Sequence, residues 1–271
     1  MKAKKLFVFD LDGTLLNSDN QLSLANARAL EQAKAQGHFL GIATGRNFIL
    51  SKNDLGSSWN LFDYFSGSNG AVFHDIAQQT TIQANNFIDY QLVLDLQQKL
   101  EVIGGRLLVS TSDYYYTQVF QIVADQEYLG IGRKKHLDDW PEPKTMDKKA
   151  QQTIVQIALH VDPKQIYEIA EQLNQLYGQD YTVLITHAIN IDINLKNVGK
   201  LSAIQQMQQL SLVKDENVYF FGDSQSDIPA LEQYQNTYAM ANGLIEAQKA
   251  AKHVIGSNDS DAISQVLLKA L

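Results

Sequence analysis

The chain has 271 residues, 45% of them hydrophobic and 19% charged, enough apolar side chain to bury a core and enough to exclude a disordered or collagen-like chain. Its net charge of −8 with no basic stripe argues against a general affinity for nucleic acid or anionic membrane, and the absence of cysteine removes disulfides, thiolate metal sites and cysteine nucleophiles together. At about 100–200 residues per domain, the length fits one large domain or two unequal ones.

Lys2, Lys4 and Lys5 precede a short apolar run, Leu6-Phe7-Val8-Phe9, that stops at Asp10. A secretory signal needs about 7–15 apolar residues and a spanning helix about 20, so the run reads as a strand buried on both faces and the protein as soluble and cytoplasmic. Ser23 is a candidate N-cap for a helix carrying Leu24, Ala27, Leu30, Ala33 and Ala35 up to Gly37. Phe39 to Ala43 is a second buried strand, and after Thr44-Gly45-Arg46 a second helix starts near Asn47. Strand, helix, strand, helix predicts a parallel sheet.

The middle differs in character. Gln91 to Leu100 and Pro163 to Tyr177 read as helices. Leu107 to Ser110, Tyr114 to Val123, Ile154 to Val161 and Tyr181 to Thr186 read as strands of a more antiparallel kind. Pro141 and Pro143 sit among mixed charges and read as an exposed loop. Tyr114-Tyr115-Tyr116 reads as core and edge packing, His187 as a structural histidine, and Arg133-Lys134-Lys135-His136 as a solvated loop. Beyond this segment the first pattern returns: a helix from Lys200 to Leu210, an apolar strand from Val218 to Phe221, a helix from Asp227 to Tyr234, a short strand from Thr237 to Met240, and a helix from Asp261. The predicted fold is α/β, a parallel-sheet core of residues 1–81 and 190–271 with an α+β cap of residues 82–189 inserted into it.

Four constellations carry chemistry. Asp10-Leu11-Asp12-Gly13-Thr14-Leu15 follows a buried strand, and open α/β sheets bind ligands outside the carboxyl ends of their strands. Two carboxylates that close suit a nucleophile beside a general acid/base, one ionised on a cation while its neighbour holds a proton. Thr44-Gly45-Arg46 offers a hydroxyl and backbone N–H groups at a helix start, an anion site. Lys200, entering a helix after Gly199, is a point charge suited to phosphate. Gly222-Asp223-Ser224-Gln225-Ser226-Asp227 ends another apolar strand. Asp223 can complete a hard-cation site, and Asp227 can hold a metal-bound water or orient the lysine. Each alone also fits an ordinary cap or surface residue. Together they sit where one parallel sheet gathers them at one edge.

At these residues the sequence resembles the haloacid dehalogenase (HAD) superfamily of phosphohydrolases. Ser68-Asn69-Gly70-Ala71, the Gly222 to Leu231 stretch and Ala239-Met240-Ala241-Asn242 are similar to its Cof-like group, class IIB, whose α+β cap lies between the second and third motifs. The resemblance implies a Rossmannoid core and attack on phosphorus by Asp10, with Asp12 as acid and then base, positioned by Thr14. It implies phosphoryl oxygens held by Thr44, Gly45 and Lys200, with Arg46, Ser226 and Asp227 in support. Mg²⁺ would be held by Asp10, the backbone carbonyl of Asp12, and Asp223. The chain departs from the Cof-like pattern at Leu195, Leu201 and Ser226, where proline, glycine and asparagine are usual. The expected activity is a Mg²⁺-dependent phosphatase for small phosphorylated metabolites such as sugar phosphates or phosphorylated cofactors. A sugar phosphomutase and a phospho-accepting receiver module are the rival readings. The acid at Asp12 and the inserted domain disfavour the receiver.

Overall fold

A computed structural model describes residues 3–83, 86–111, 115–120 and 142–271. Tyr114, Pro141 and the Arg133-Lys134-Lys135-His136 run lie outside the described residues, as do the side chains of Tyr115 and His187. The chain divides into two compact units, residues 1–82 with 199–271, and residues 83–198.

The first unit is built on an eight-stranded sheet. In chain order its strands are β1 (Leu6–Phe9), β2 (Phe39–Ala43), β3 (Tyr64–Gly67), β4 (Val72–Asp75), β5 (Thr80–Gln83), then β11 (Val218–Gly222), β12 (Asn236–Met240) and β13 (His253–Ile255). The spatial order is β13-β12-β11-β1-β2-β3-β4-β5. Six strands from β13 to β3 run parallel, and β4 turns back antiparallel to β3. β1 lies between β11 and β2, with Phe9 opposite Phe221 on one side and Ile42 on the other.

Every side chain of β1 is buried because helices cover both faces. Phe7 and Phe9 pack with residues of α1 (Leu24–Ala35), α2 (Phe48–Leu55) and α9 (Ala262–Ala270). Leu6 and Val8 point the other way, to residues of α6 (Lys200–Ser211), α7 (Ile228–Gln233) and α8 (Ile245–Ala250). The helix starts follow local chemistry: Ser23 accepts from the Asn26 amide to cap α1, and Asn47 accepts from Leu50 to cap α2.

The second unit holds a five-stranded antiparallel sheet. Its strands are β6 (Gly105–Thr111), β7 (Tyr115–Phe120), β8 (Ile154–His160), β9 (Tyr181–His187) and β10 (Asn190–Leu195), in the order β7-β6-β8-β10-β9. Residues of α3 (Tyr90–Ile103) and α5 (Ile166–Tyr177) form a separate core with Leu107, Val109, Ile157 and Ile191, joined by half-buried Tyr116. The short α4 (Lys148–Gln151) leads into β8.

Two sequence expectations are corrected here. Residues 190–195 belong to the second unit, because β10 is hydrogen-bonded between β8 and β9, and the chain re-enters the first unit at Gly199. Pro143 is buried in a short helical turn, where its carbonyl accepts from the Tyr90 hydroxyl, and so is not part of an exposed loop. Among the described residues no helix is long and apolar enough to cross a membrane.

Candidate active site

The carboxyl ends of β1, β2 and β11 carry the predicted residues, and the start of α6 adds one more. Asp10 directly follows β1, and its amide donates to the Phe221 carbonyl at 2.9 Å, which fastens the acid to the end of β11. The chain then turns tightly through Gly13 at φ +71°, a left-handed conformation that glycine adopts without penalty. A Cβ at this position would lie 2.6 Å from Asp223 Oδ2, so the glycine leaves space beside that oxygen. The Gly13 carbonyl accepts from the Asn242 side chain at 2.8 Å.

Lys200 is the first residue of α6 and is 2% exposed. Its ammonium lies 3.0 Å from Asp10 Oδ2 and 2.8 Å from Asp227 Oδ1. Burial works against its charge, but the pull of Asp10 and Asp227 outweighs that penalty and raises its pKa. Asp227 is fully committed. Its Oδ2 accepts from the amides of Asp223 and Ser224 and from the Ser224 hydroxyl, at 3.0, 2.9 and 2.8 Å. Of the two roles open to Asp227, orienting the lysine is the one its contacts favour. Ser226 is buried, and its hydroxyl pairs with that of Ser224 at 3.0 Å.

Asp223 accepts from the Thr14 hydroxyl through Oδ1 at 2.6 Å. This corrects the expectation that Thr14 positions Asp12: the hydroxyl points across the site to the other acid. Burial is the main force raising the Asp223 carboxyl, to about 7, with the Asp227 charge adding to it and the Thr14 bond and Lys200 opposing it. Burial likewise holds Asp10 well above the usual carboxylate range, against Lys200 and with Asp227, Asp223 and Asp12 pushing the same way.

Oxygens of Asp10, Asp223 and Asp227 lie within 4.8 Å of one another, an arrangement that can hold a metal ion. The donor set is all oxygen and strongly acidic, which fits a hard divalent cation. Asp10 meets Lys200 through Oδ2 and Asp223 meets Thr14 through Oδ1, so each acid keeps its second oxygen for a ligand role. Asp10 is buried and Asp223 half-buried, and the ionised form of both is disfavoured without a cation, which is the second sign of fit.

Thr44, 1% exposed, follows β2. Its carbonyl accepts from Asn69 and its hydroxyl from the Arg46 amide at 3.2 Å, and half-buried Gly45 lies between. Asp12 does not join the buried cluster. Its exposed carboxylate pairs with the Arg46 guanidinium, which also pairs with Asp54. The sequence reading missed Asp54 altogether. The available signal was only an acid in the last turn of the helix that follows Arg46.

The chain matches the haloacid dehalogenase-like hydrolases over residues 7–267. It is 22% identical to the 5-amino-6-(5-phospho-D-ribitylamino)uracil phosphatase YcsE of Bacillus subtilis, over 97% of this chain and 94% of that one. Its fold is similar to that of the HAD subclass IIB sugar phosphatase BT4131, with a TM-score of 0.80, 21% identity and coverage of 99% and 100%. It is also similar to a haloacid dehalogenase-like hydrolase from B. subtilis, with a TM-score of 0.81, 23% identity and coverage of 98% and 100%. A match that runs through both segments of the first unit and the whole of the second leaves one assignment: the chain belongs to the haloacid dehalogenase-like hydrolases.

Proposed function

We propose that this protein is a Mg²⁺-dependent phosphatase of small phosphorylated metabolites that works through an aspartyl-phosphate intermediate. The observation that carries the reading is the meeting of Asp10, Asp223 and Lys200 at one sheet edge, a buried nucleophile flanked by a fixed cation and by oxygens suited to a second one. Phosphoryl transfer asks a protein mostly for position and for charge opposite the phosphoryl oxygens.

In the first half, a carboxylate oxygen of Asp10 bonds to phosphorus while the bond to the leaving oxygen breaks. That oxygen takes a proton from Asp12. In the second half, water attacks the aspartyl phosphate, gives its proton to Asp12, and releases phosphate as Asp10 regains its electron pair. Thr44 and the Gly45 amide bind phosphoryl oxygens, and Lys200, steadied by Asp227, holds the attacking carboxylate in place. Asp10 and Asp223, with the Asp12 carbonyl, would hold Mg²⁺, which when bound neutralises charge on the transferring group. The second unit, which departs after residue 82 and returns at 199, is assigned the selection of the leaving group.

The test is a phosphate-release screen over sugar phosphates, nucleotides and phosphorylated cofactors, with Mg²⁺ and after exhaustive chelation. Release of free phosphate, lost on chelation and restored by Mg²⁺ but poorly by Ca²⁺, is the expected result. Mg²⁺ keeps octahedral geometry, whereas Ca²⁺ takes more ligands and spoils alignment. An isomerised phosphosugar in place of free phosphate would make the enzyme a mutase, and undiminished activity after chelation would remove the metal.

A further inference from the structure

Arg46 forks onto Asp12, its Nε donating to Oδ2 at 2.6 Å and its Nη2 to Oδ1. Nη2 also donates to Asn20 Oδ1 at 3.2 Å, and Nη1 donates to Asp54 Oδ2 in the last turn of α2. The Arg46 side chain is 13% exposed, while those of Asp12 and Asp54 are 49% and 40% exposed. One largely buried cation therefore holds two surface acids from different sides. A guanidinium fork fixes the plane of a carboxylate as an ammonium cannot. Because Asp12 lies outside the buried cluster, this fork sets the direction of its oxygens, and Asp54 helps set the direction of the fork.

We infer that Asp54 is a positioning residue for Asp12, acting through Arg46 on the hydrolytic half of the reaction. The inference rests on the covalent mechanism proposed above. In the hydrolytic half Asp12 acts as a carboxylate, the form that pairs with Arg46. A carboxylate has about four acceptor positions. The fork takes two of them, one on each oxygen, so the carboxylate can hold the fork and still receive the proton of water as its oxygen bonds to phosphorus and the bond from phosphorus to Asp10 breaks. In the transfer half Asp12 carries that proton to the leaving oxygen, and an Arg46 fork on both its oxygens gives no help there.

The two halves separate in steady-state kinetics. kcat/KM reports steps up to formation of the aspartyl phosphate, whereas slower hydrolysis lowers kcat and KM by the same factor. For Asp54→Asn we expect kcat and KM to fall together by about three- to tenfold, the scale of a modest misalignment, with kcat/KM within about twofold of wild type. Phosphoenzyme trapped by acid quench should rise, and Asp54→Glu should recover most of kcat. The thermal midpoint should hold, since an exposed acid contributes little to stability. Unchanged kinetics, a kcat/KM that falls in step with kcat, or a raised KM would each overturn the role of Asp54. Absence of trapped phosphoenzyme in wild type, Asp54→Asn and Asp12→Asn alike would instead overturn the covalent mechanism beneath it.

Discussion

Asp10 is both the proposed nucleophile and a proposed ligand, and its neighbours show why one residue can serve twice: Lys200 occupies one oxygen and the other is left over. Replacing it with asparagine keeps the shape and removes the charge. Asp10→Asn is expected to lower phosphate release by more than about a thousandfold with an unchanged circular-dichroism spectrum. Retention of most of the wild-type rate would defeat the covalent mechanism. The same crowding has a cost in stability. Asp223 rises from an ordinary value of 3.8 to about 7, so the folded state holds a proton that the unfolded chain has released. Stability without metal therefore falls as the pH climbs from about 4 to about 7, where the unfolded chain binds fewer protons, and levels off above. Thermal melts of metal-free protein across that window should show the decline. Asp223→Asn should make the decline shallower, leaving the part due to Asp10, and a slope identical to that of wild type would show that the Asp223 carboxyl is not shifted.

At the scale of elements, the loop after β1 joins two demands, a reversal of the chain and room for Asp223. Gly13→Ala would place an L-residue at φ +71°, a cost of roughly 1–2 kcal/mol, and would put a methyl group against Asp223 Oδ2. Lower urea stability and a higher Mg²⁺ concentration for half-maximal activity are expected together. Loss of stability with an unchanged Mg²⁺ requirement would place the cation elsewhere. The same loop shows how much of the site the sequence carries. Apolar runs that end in acids mark β1 and β11 because strands buried on both faces have no polar alternation to hide them. β10 escaped the reading for the opposite reason. Asn190, Asp192 and Asn194 alternate with Ile191, Ile193 and Leu195, and a search for continuous apolar runs passes over it. β3 and β4 are four residues each, too short to show a period. The hydrogen bond from Thr14 to Asp223 spans 209 positions, and no local pattern specifies such a partner.

For the whole molecule, burial limits what can reach the site. Asp10 is 4% exposed and Lys200 2%, so on the function proposed above a phosphoryl group reaches Asp10 more readily when the group it is attached to is small. Small phosphate esters meet that condition, whereas a phosphoserine on a folded protein brings its backbone and neighbours with it. The expected result is measurable kcat/KM for several sugar phosphates and none for a folded phosphoprotein. Comparable values for both classes would show that access is wider than the burial implies.

The path of the chain through the first sheet also fixes an order of events during synthesis. β1 is paired on one side by β2, about thirty residues on, and on the other by β11, whose residues follow the entire second unit. The inserted unit is one continuous segment that is complete by residue 198, so the ribosome releases a finished insert while the sheet that carries it still lacks its central neighbour. At about 5–20 residues per second, the gap between β1 and β11 is exposed for many seconds. The nascent protein thus has an open sheet edge of apolar residues, a surface of the kind that chaperones bind. Since Lys200, Asp223 and Asp227 all follow the second unit in sequence, the growing chain acquires its candidate site only after that unit has been made.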